Sequence, residues 1–216
     1  MNNYKSGFVT LLGRPNVGKS TLVNKIIGKK ITITSPIAQT TRNKLKGILT
    51  TDDTQIIFID TPGVHKPQHL LGEKLVKNAK SAINGVDLVL LIFDACNKPG
   101  SGDEYIRDLL TISKSKFMVV LNKWDLLEDK DQALRINQYK DLLNNNSIIF
   151  IKVSAKTGYG CKKLINQIKE YLPFGNLLYP KETIVDQPLN ILLSELIREQ
   201  VLLNTREEVP HSVAVK

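Results

Sequence analysis

The residues best suited to chemistry begin at Gly13, where the chain reads GRPNVGKS. This run matches the pattern GxxxxGK followed by Ser or Thr, and it lies between a predicted apolar strand and a predicted helix, as a phosphate-binding loop does. Glycines let such a loop curl so that backbone N–H groups and the helix N-terminus surround a phosphate. Within the pattern, Lys19 reaches the β- and γ-phosphates and Ser20 ligates Mg²⁺. The run therefore predicts a nucleoside triphosphate site, and a simple glycine turn is the alternative.

A second candidate for the phosphate site is Asp60, which ends a predicted strand and opens the run DTPG. A carboxylate at this position suits the Mg²⁺ shell, and the N–H of Gly63 suits the γ-phosphate. Turns after strands often contain Asp and Gly, so this motif is weak by itself. Its place about 40 residues after the phosphate loop strengthens it.

The run NKWD at 122–125 predicts which base is bound, because it also follows a buried strand. The Asp125 carboxylate can accept hydrogen bonds from N1–H and the 2-amino group of guanine. Adenine lacks both donors and would leave the carboxylate unpaired, which a polar site rejects strongly. The run SAK at 154–156 follows the next strand and would add a backbone N–H to guanine O6. Together these runs predict GTP rather than ATP.

A polar loop at 36–42, PIAQTTR, lies between the first predicted helix and the second predicted strand. One threonine hydroxyl here would complete the Mg²⁺ shell when the γ-phosphate is present. Thr41 is our prediction, Thr40 is the second choice, and an ordinary polar loop is the alternative.

The elements that must position these residues alternate between apolar strands and amphipathic helices. The run VDLVLLIF at 86–93 is almost continuously apolar, which is typical of a parallel strand covered on both faces. The alternation predicts an α/β fold of the P-loop NTPase type with a mostly parallel sheet. Two strands close in sequence, 45–51 and 55–59, predict one antiparallel edge strand. The other predicted strands are 7–12, 116–121 and 148–153, and the predicted helices start after Lys19 and at 72–83, 103–113, 132–143 and 161–172.

The composition of the chain changes after Leu172, where PFG and then YP interrupt the periodic pattern. We therefore predict a nucleotide-binding domain at 1–175, a linker at 176–186 and a further segment at 187–216. About 35 residues cannot build an independent core. We expect the last segment to be the start of a second domain.

The last segment opens with a predicted helix, for which Asp186 is the predicted N-cap and Pro188 lies in the first turn. A strand-like alternation follows at 209–215. The apolar stripe of the predicted helix contains Leu189, Leu192, Leu193, Leu196 and Ile197.

The composition is that of a cytoplasmic globular protein. The chain carries 30 basic and 21 acidic side chains, a net charge of +9, which permits association with nucleic acid or an anionic membrane surface and establishes neither. Its two cysteines, Cys96 and Cys161, form no CxxC pattern, which favours free thiols in a reducing cytosol. No apolar run approaches the ~20 residues of a membrane span, and the N-terminal run MNNYKSG lacks the apolar stretch of a secretory signal.

Five runs, in order, closely resemble the motifs of the Era family. The members of this family are bacterial ribosome-assembly GTPases of the translation-factor class. The runs are GRPNVGKSTLVNK, ITSPIAQTTR, IDTPGVHKP, NKWD and SAKTG, and the resemblance extends to about residue 180. The runs LIRE at 196–199 and EVPHSVAV at 208–215 are similar to the start of that family's type II KH domain, helix first and strand second.

The resemblance implies a GTP-hydrolysing switch that acts as a monomer, with no oligomer required, in assembly of the small ribosomal subunit. It also implies binding to 16S rRNA and the 30S subunit through the full-length KH domain. A KH domain clamps RNA with a GxxG loop, and residues 181–216 contain no such loop. The implied RNA binding therefore belongs to the full-length family protein rather than to these residues.

Val64 follows the DTPG run at the position where small signalling GTPases place the glutamine that orients the attacking water. Valine forms no hydrogen bond through its side chain, and the neighbouring His65 is more simply a solvated loop residue. The Era resemblance implies the same hydrophobic residue, slow intrinsic hydrolysis, and a group of GTPases in which some members use K⁺ held by a P-loop asparagine, here Asn16. The alternative for Asn16 is a hydrogen bond to the loop's own backbone.

The predicted site combines these residues in three roles. The predicted catalytic residues are Lys19, Thr41 and Gly63. The predicted Mg²⁺ ligands are Ser20, Thr41 and Asp60, and Asn16 is the candidate K⁺ ligand. The predicted contacts to GTP or GDP are Asn16, Val17, Gly18, Lys19, Ser20, Thr21, Asp60, Gly63, Asn122, Lys123, Asp125, Ser154, Ala155 and Lys156.

Other functions stay open at this point. One is a related ribosome- or RNA-associated GTPase with a different C-terminal module. Another is a GTP-gated RNA-binding adaptor whose hydrolysis is residual. A peripheral contact with the inner face of the cytoplasmic membrane also stays open, because of the net positive charge.

Overall fold

The computed structural model describes residues 3–32, 45–60, 83, 85–113, 115–145 and 148–204. The predicted loop at 36–42, the predicted strand at 209–215 and all of the predicted helix 72–83 except Ile83 lie outside these residues. The strands are β1 (Lys5–Leu12), β2 (Leu45–Thr50), β3 (Thr54–Asp60), β4 (Leu88–Asp94), β5 (Phe117–Asn122) and β6 (Phe150–Lys152). The helices are α1 (Lys19–Ile27), α2 (Ser101–Ser113), α3 (Asp129–Leu143), α4 (Cys161–Tyr171) and α5 (Leu189–Asn204), with a short 3₁₀ helix at Trp124–Leu126.

The six strands form one sheet in the order β2-β3-β1-β4-β5-β6. β1 pairs in parallel with β3 and β4, and β5 pairs in parallel with β4 and β6. β2 pairs antiparallel with β3. The predicted α/β fold with a mostly parallel sheet and one antiparallel edge strand is confirmed.

The sheet is buried because helices cover both of its faces. Every residue of β4 is buried, which is why this strand is apolar at nearly every position rather than at alternate ones. One face packs against α1 and α4 through a cluster that includes Leu22, Ile26, Leu164 and Ile168. The other face packs against α2 and α3 through a cluster that includes Ile106, Leu110, Tyr139 and Leu142.

The carboxyl ends of four parallel strands carry the residues that matter for binding. β1 is followed by Gly13, and β3, β4 and β5 end at Asp60, Asp94 and Asn122, respectively. β1 lies between β3 and β4, so the strand order reverses there. In open α/β sheets, ligands bind in the crevice outside the carboxyl ends of the strands at such a reversal.

The predicted linker continues the sheet beyond its antiparallel edge. The Ile48 N–H donates to the Ile184 carbonyl O at 2.7 Å, and the Asp186 N–H donates to the Lys46 carbonyl O at 3.1 Å. The Asp186 carboxylate pairs with Lys46 Nζ at 2.9 Å, and α5 begins at Leu189. The prediction of Asp186 as the N-cap of this helix is therefore wrong, because its side chain is bound to β2 instead.

Gln55 holds a second point of the linker. Its side-chain oxygen accepts the N–H groups of Leu178 and Tyr179 at 2.8 and 2.9 Å. Its amide nitrogen donates to the Tyr179 carbonyl O at 2.9 Å. Gln55 is fully buried, so these bonds satisfy polar atoms that water does not reach. The linker is thus held against the domain at two places.

The apolar stripe of α5 faces outwards in large part. Leu189 is 70% exposed, Leu193 50% and Ile197 53%, whereas the polar Arg198 and Glu199 are buried. Glu199 forms an ion pair with Lys30, beyond α1. The helix therefore contacts the nucleotide-binding domain through these polar residues and through Leu192, which packs against the core. The rest of its apolar stripe is exposed. Among the helices in the described ranges, none is long and apolar enough to cross a membrane.

Candidate nucleotide-binding site

The loop after β1 has the curled backbone that a phosphate site needs. Asn16 and Gly18 both have positive φ, 62° and 94°, which turns the chain and leads into α1. A Cβ added to Gly13 would lie 2.5 Å from the Ile92 carbonyl O. Glycine is therefore required there, because the loop runs against the backbone of β4.

Lys19 points back into this loop. Its Nζ donates to the carbonyl oxygens of Gly13 and Arg14 at 3.0 and 2.9 Å, and the residue is only 6% exposed. Burial lowers the pKa of Lys19 to about 8, and the nearby Asp60 carboxylate opposes that shift. At pH 7 the side chain is therefore still mainly an ammonium, held where a phosphate would meet it.

Ser20 and Asp60 meet across two elements, α1 and the end of β3. The Ser20 hydroxyl donates to Asp60 Oδ2 at 2.7 Å, and Asp60 is fully buried. Hydroxyl and carboxylate oxygens are ligands that Mg²⁺ prefers, and Mg²⁺ is usually bound through one or two carboxylates plus substrate phosphates. Within the described residues, no group of three or more His, Cys, Asp or Glu side chains could hold a metal ion. The pair fits the predicted Mg²⁺ site.

Asn122 joins three loops of the site. Its Nδ2 donates to the Val17 carbonyl O at 2.8 Å, and its Oδ1 accepts the Ala155 N–H at 2.9 Å. The residue is 1% exposed, so its observed contacts hold the phosphate loop, the NKWD run and the SAK run together. Sequence reasoning placed Asn122 among the nucleotide contacts and missed this joining role.

Asp125 lies on the surface of the same edge. It sits in the 3₁₀ helix Trp124–Leu126, directly after Lys123, whose φ is 62°. Its side chain is exposed, so its carboxylate oxygens are accessible from outside the protein. The N–H groups of Ser154 and Ala155 both donate inside the protein, to Tyr159 O and Asn122 Oδ1. The hydrogen bond from a backbone N–H of the SAK run to guanine O6 therefore stays a prediction.

Sequence reasoning missed Asp94, which belongs to no recognised run. Its Oδ2 accepts from Lys123 Nζ at 2.7 Å. A signal for it existed, since Asp94 ends a buried strand just as Asp60 and Asn122 do. Asp94 and Lys123 lie on an open cleft of about 450 Å³, whose lining residues are Arg14, Pro15, Asn16, Val17, Asp94, Asn97, Lys98 and Lys123.

The structure thus brings together the predicted residues of the phosphate loop, the end of β3, the NKWD run and the SAK run. Val17 is buried, Asn16 is exposed beside the cleft, and Thr21 and Lys156 lie half-buried and exposed, respectively. The predicted residues Thr41 and Gly63, like Thr40, Val64 and His65, lie outside the described residues. Their roles stay predictions.

Comparisons with known proteins agree with this geometry. The family model described as 50S ribosome-binding GTPase matches residues 8–123. The GTPase Era of Crocosphaera subtropica is 54% identical over 212 residues, which cover 98% of this chain and 67% of the relative. This chain belongs to the Era family of GTPases. Because the alignment runs through α5, a GTPase with a different C-terminal module is not favoured.

Two solved Era structures have the same fold. One is Era in complex with MgGDPNP and nucleotides 1506–1542 of 16S ribosomal RNA, with a TM-score of 0.90, 36% identity, and coverage of 97% of this chain and 70% of that one. The other is a point variant of Aquifex aeolicus Era bound to GDP·AlF4⁻, with a TM-score of 0.89, 36% identity, and coverage of 96% and 70%. Family membership confirms the predicted GTPase class. The Era structure with MgGDPNP agrees with the Mg²⁺ predicted as a cofactor, and both structures contain a predicted guanine nucleotide or its analogue.

Proposed function

We propose that this chain is the nucleotide-binding part of an Era switch that binds GTP and GDP with Mg²⁺ and hydrolyses GTP slowly to GDP and phosphate. In this proposal the switch acts in 16S rRNA binding and small-subunit assembly. The observation that carries it is the joining of three loops by Asn122, through Val17 and Ala155. These bonds bring the phosphate loop and the base-reading run to one edge of the sheet. The Era complex with 16S rRNA supports the RNA part.

The chemistry of the proposed site follows from charge and position. Phosphates would replace the two loop carbonyls as partners of Lys19, so the ammonium exchanges neutral acceptors for anionic ones. Ser20 and Asp60 would hold Mg²⁺, with Thr41 as the added ligand in the GTP state. Mg²⁺ supplies charge neutralisation at the β- and γ-phosphate oxygens. Asp125 selects guanine, and Gly63 offers its N–H to the γ-phosphate. The reaction needs positioning and charge stabilisation more than a strong base.

The domain division is part of the proposal. We place the GTPase domain at 1–175, the linker at 176–186 and the start of a KH domain at 187–216. The exposed leucines of α5, Leu189 and Leu193, support this division, because an apolar helix face of this size is normally covered by other parts of a domain. The chain spans about two thirds of the length of its Crocosphaera relative.

The 216-residue chain itself should bind 16S rRNA only weakly and without sequence preference. Residues 181–216 contain four basic and six acidic side chains, a net charge of −2, and no GxxG loop. Any binding through the basic surface of the remaining chain should fade as salt rises. Electrophoretic mobility shifts with 16S rRNA fragments at low and physiological salt test this. Tight, sequence-dependent and salt-resistant binding would contradict it.

We expect GTP hydrolysis to depend on K⁺, because Val64 stands where other GTPases have the glutamine that orients the attacking water. A K⁺ ion held by Asn16 would offset charge that develops on the phosphates, as an arginine finger does. Single-turnover hydrolysis should therefore be faster in KCl than in NaCl at equal ionic strength, and Asn16→Ala should abolish the difference. Asn16 has a φ of 62°, so Asn16→Gly removes the side chain without backbone strain and serves as the matched variant. Equal wild-type rates in the two salts would end the potassium hypothesis.

The residues after DTPG should contribute little to water activation. Val64→Ala and His65→Ala should each leave hydrolysis within about tenfold of wild type, or ~1.4 kcal/mol. The same single-turnover assay measures both variants. A large loss in His65→Ala would restore this histidine as the general base.

A GTP-gated adaptor is the second candidate function, and the slow hydrolysis implied by Val64 is what favours it. Single-turnover hydrolysis with and without small ribosomal subunits separates the two functions. Stimulation by subunits supports the enzymatic switch, and GTP-dependent binding without stimulation supports the adaptor. We propose a cytoplasmic location, and the charge of +9 also suits a peripheral membrane contact.

A further inference from the structure

We propose that Asp94 positions Lys123 in the guanine site, and that Tyr139 fixes the loop that carries Asp94. The inference rests on the proposed function and extends it to two residues that lie outside every nucleotide motif. It concerns how firmly a guanine nucleotide is held, rather than how fast it is hydrolysed.

The Asp94 carboxylate is a rigid anchor. It lies in register with Asn122 on the neighbouring strand, and its side chain is 8% exposed. Oδ2 accepts from Lys123 Nζ at 2.7 Å and from Asn97 Nδ2 at 3.0 Å, while Oδ1 accepts the Cys96 N–H at 2.9 Å. Three donors on one buried carboxylate leave it little freedom to turn.

Lys123 is held at both its backbone and its side chain. Its φ of 62° is uncommon for a residue with a Cβ, and such a conformation persists only where the surroundings enforce it. The next residue supplies that support, since the Trp124 N–H donates to the Val153 carbonyl O at 3.0 Å. The Asp94 bond then fixes the far end of the side chain.

The position of Lys123 explains what this anchoring achieves. Lys123 lines the same cleft as Asn16 and Val17 of the phosphate loop, and it directly precedes Trp124 and Asp125. A nucleotide that reaches from the phosphate loop to Asp125 must pass beside it. With the ammonium bound to Asp94, the four-carbon stem is the part left to face the base, and lysine stems readily cover apolar surface.

Tyr139, on α3, holds the loop that follows β4. The side chain is fully buried on α3, and its hydroxyl contacts the carbonyl oxygens of Asp94 and Asn97 at 3.2 and 3.1 Å. Its ring stacks on Phe93 with centroids 4.4 Å apart. The hydroxyl therefore connects α3 to both ends of the turn from Asp94 to Asn97.

Preorganisation of this kind is expected to slow nucleotide release. A lysine stem already held in place loses less conformational freedom when the base binds. Without the Asp94 anchor, the binding of GDP and the binding of GTP should be weakened equally, because both nucleotides carry the same base. The hydrolysis rate of bound GTP should stay within about twofold, because neither Asp94 nor Tyr139 lies in the Ser20–Asp60 site.

Asp94→Asn tests the proposal, since asparagine can still accept the Cys96 N–H but lacks the charge that holds Lys123. We expect the Kd for mant-GDP and mant-GTP to rise about tenfold, mainly through faster dissociation. Tyr139→Phe removes only a hydroxyl and should give a rise of about threefold. The only tryptophan, Trp124, adjoins Lys123 and allows energy transfer to the mant group in stopped flow.

The matched control is Asp53→Asn. Asp53 pairs with Lys169 at 2.7 Å, the same separation as the Asp94 pair, but it lies at the opposite end of β3 from Asp60. Its removal should leave both Kd values unchanged. Circular dichroism and thermal unfolding of each variant check that the fold is kept.

A double-mutant cycle separates positioning from general damage. In a Lys123→Met background, Asp94→Asn should change the Kd less than twofold, because its partner is already absent. A full tenfold effect in that background would overturn the proposal. So would wild-type Kd values in folded Asp94→Asn and Tyr139→Phe, or a loss confined to the hydrolysis rate. Failure of the wild-type chain to bind either nucleotide would instead contradict the proposed function.

Discussion

Replacing Lys19 by alanine should weaken binding of GTP and GDP by about a hundredfold or more, and hydrolysis of any bound GTP should fall as steeply. The ammonium is almost fully buried and lies within 3.0 Å of the Gly13 carbonyl O, in the interior of the phosphate loop. No other side chain of the loop brings a positive charge to that interior in the described structure, where Arg14 pairs instead with Asp103 at 2.9 Å. Titration with mant-nucleotides and single-turnover hydrolysis measure the two losses.

The nucleotide-free stability of this variant is the check on its fold. Burial lowers the pKa of Lys19 to about 8, so below pH 8 the protein bears the free-energy penalty of a buried ammonium. Lys19→Ala should therefore melt no earlier than wild type in the absence of nucleotide at pH 7. Lys29→Ala, at an exposed lysine just beyond α1, is the control with unchanged affinity. A Lys19→Ala protein that binds GTP normally would refute the placement of the phosphates.

Asp125→Asn should change the base that the protein selects, from guanine to xanthine. The amide of asparagine can donate to the 2-carbonyl of xanthine, whereas it cannot accept both guanine donors as the carboxylate does. We expect the preference for GTP over xanthosine triphosphate to fall by about a hundredfold or more, because unpaired polar groups in a site are rejected strongly. Competition of the two nucleotides against mant-GDP measures the change.

The control for this variant removes the same charge from a neighbouring position. Glu128 is exposed and pairs with Lys130 at 2.7 Å, so Glu128→Gln changes the net charge of the region without touching the base. It should keep the wild-type preference for GTP. If Asp125→Asn also kept that preference, the NKWD run would not be the base-reading element.

The sequence alone predicted the strand ends that carry the chemistry, because each motif is a local pattern beside a local element. GRPNVGKS lies between β1 and α1, and Asp60 and NKWD end β3 and β5 as expected. A continuous apolar strand such as β4 also predicts its own burial, which in turn requires helices on both faces. These inferences need only residues within one or two elements, so the fold class and most of the site followed from them.

The tertiary structure decided which distant residues meet. Asn122 reaches a carbonyl 105 positions earlier, Asp94 holds a lysine 29 positions later, and Gln55 holds a linker 124 positions later. Asparagine, aspartate and glutamine can satisfy their hydrogen bonds with many partners, so their types alone do not name one. The same limit applies to α5, whose periodicity defines an apolar stripe but not the surface that the stripe faces. Those choices depend on the packing of the whole sheet, which brings the ends of separate strands within hydrogen-bonding distance.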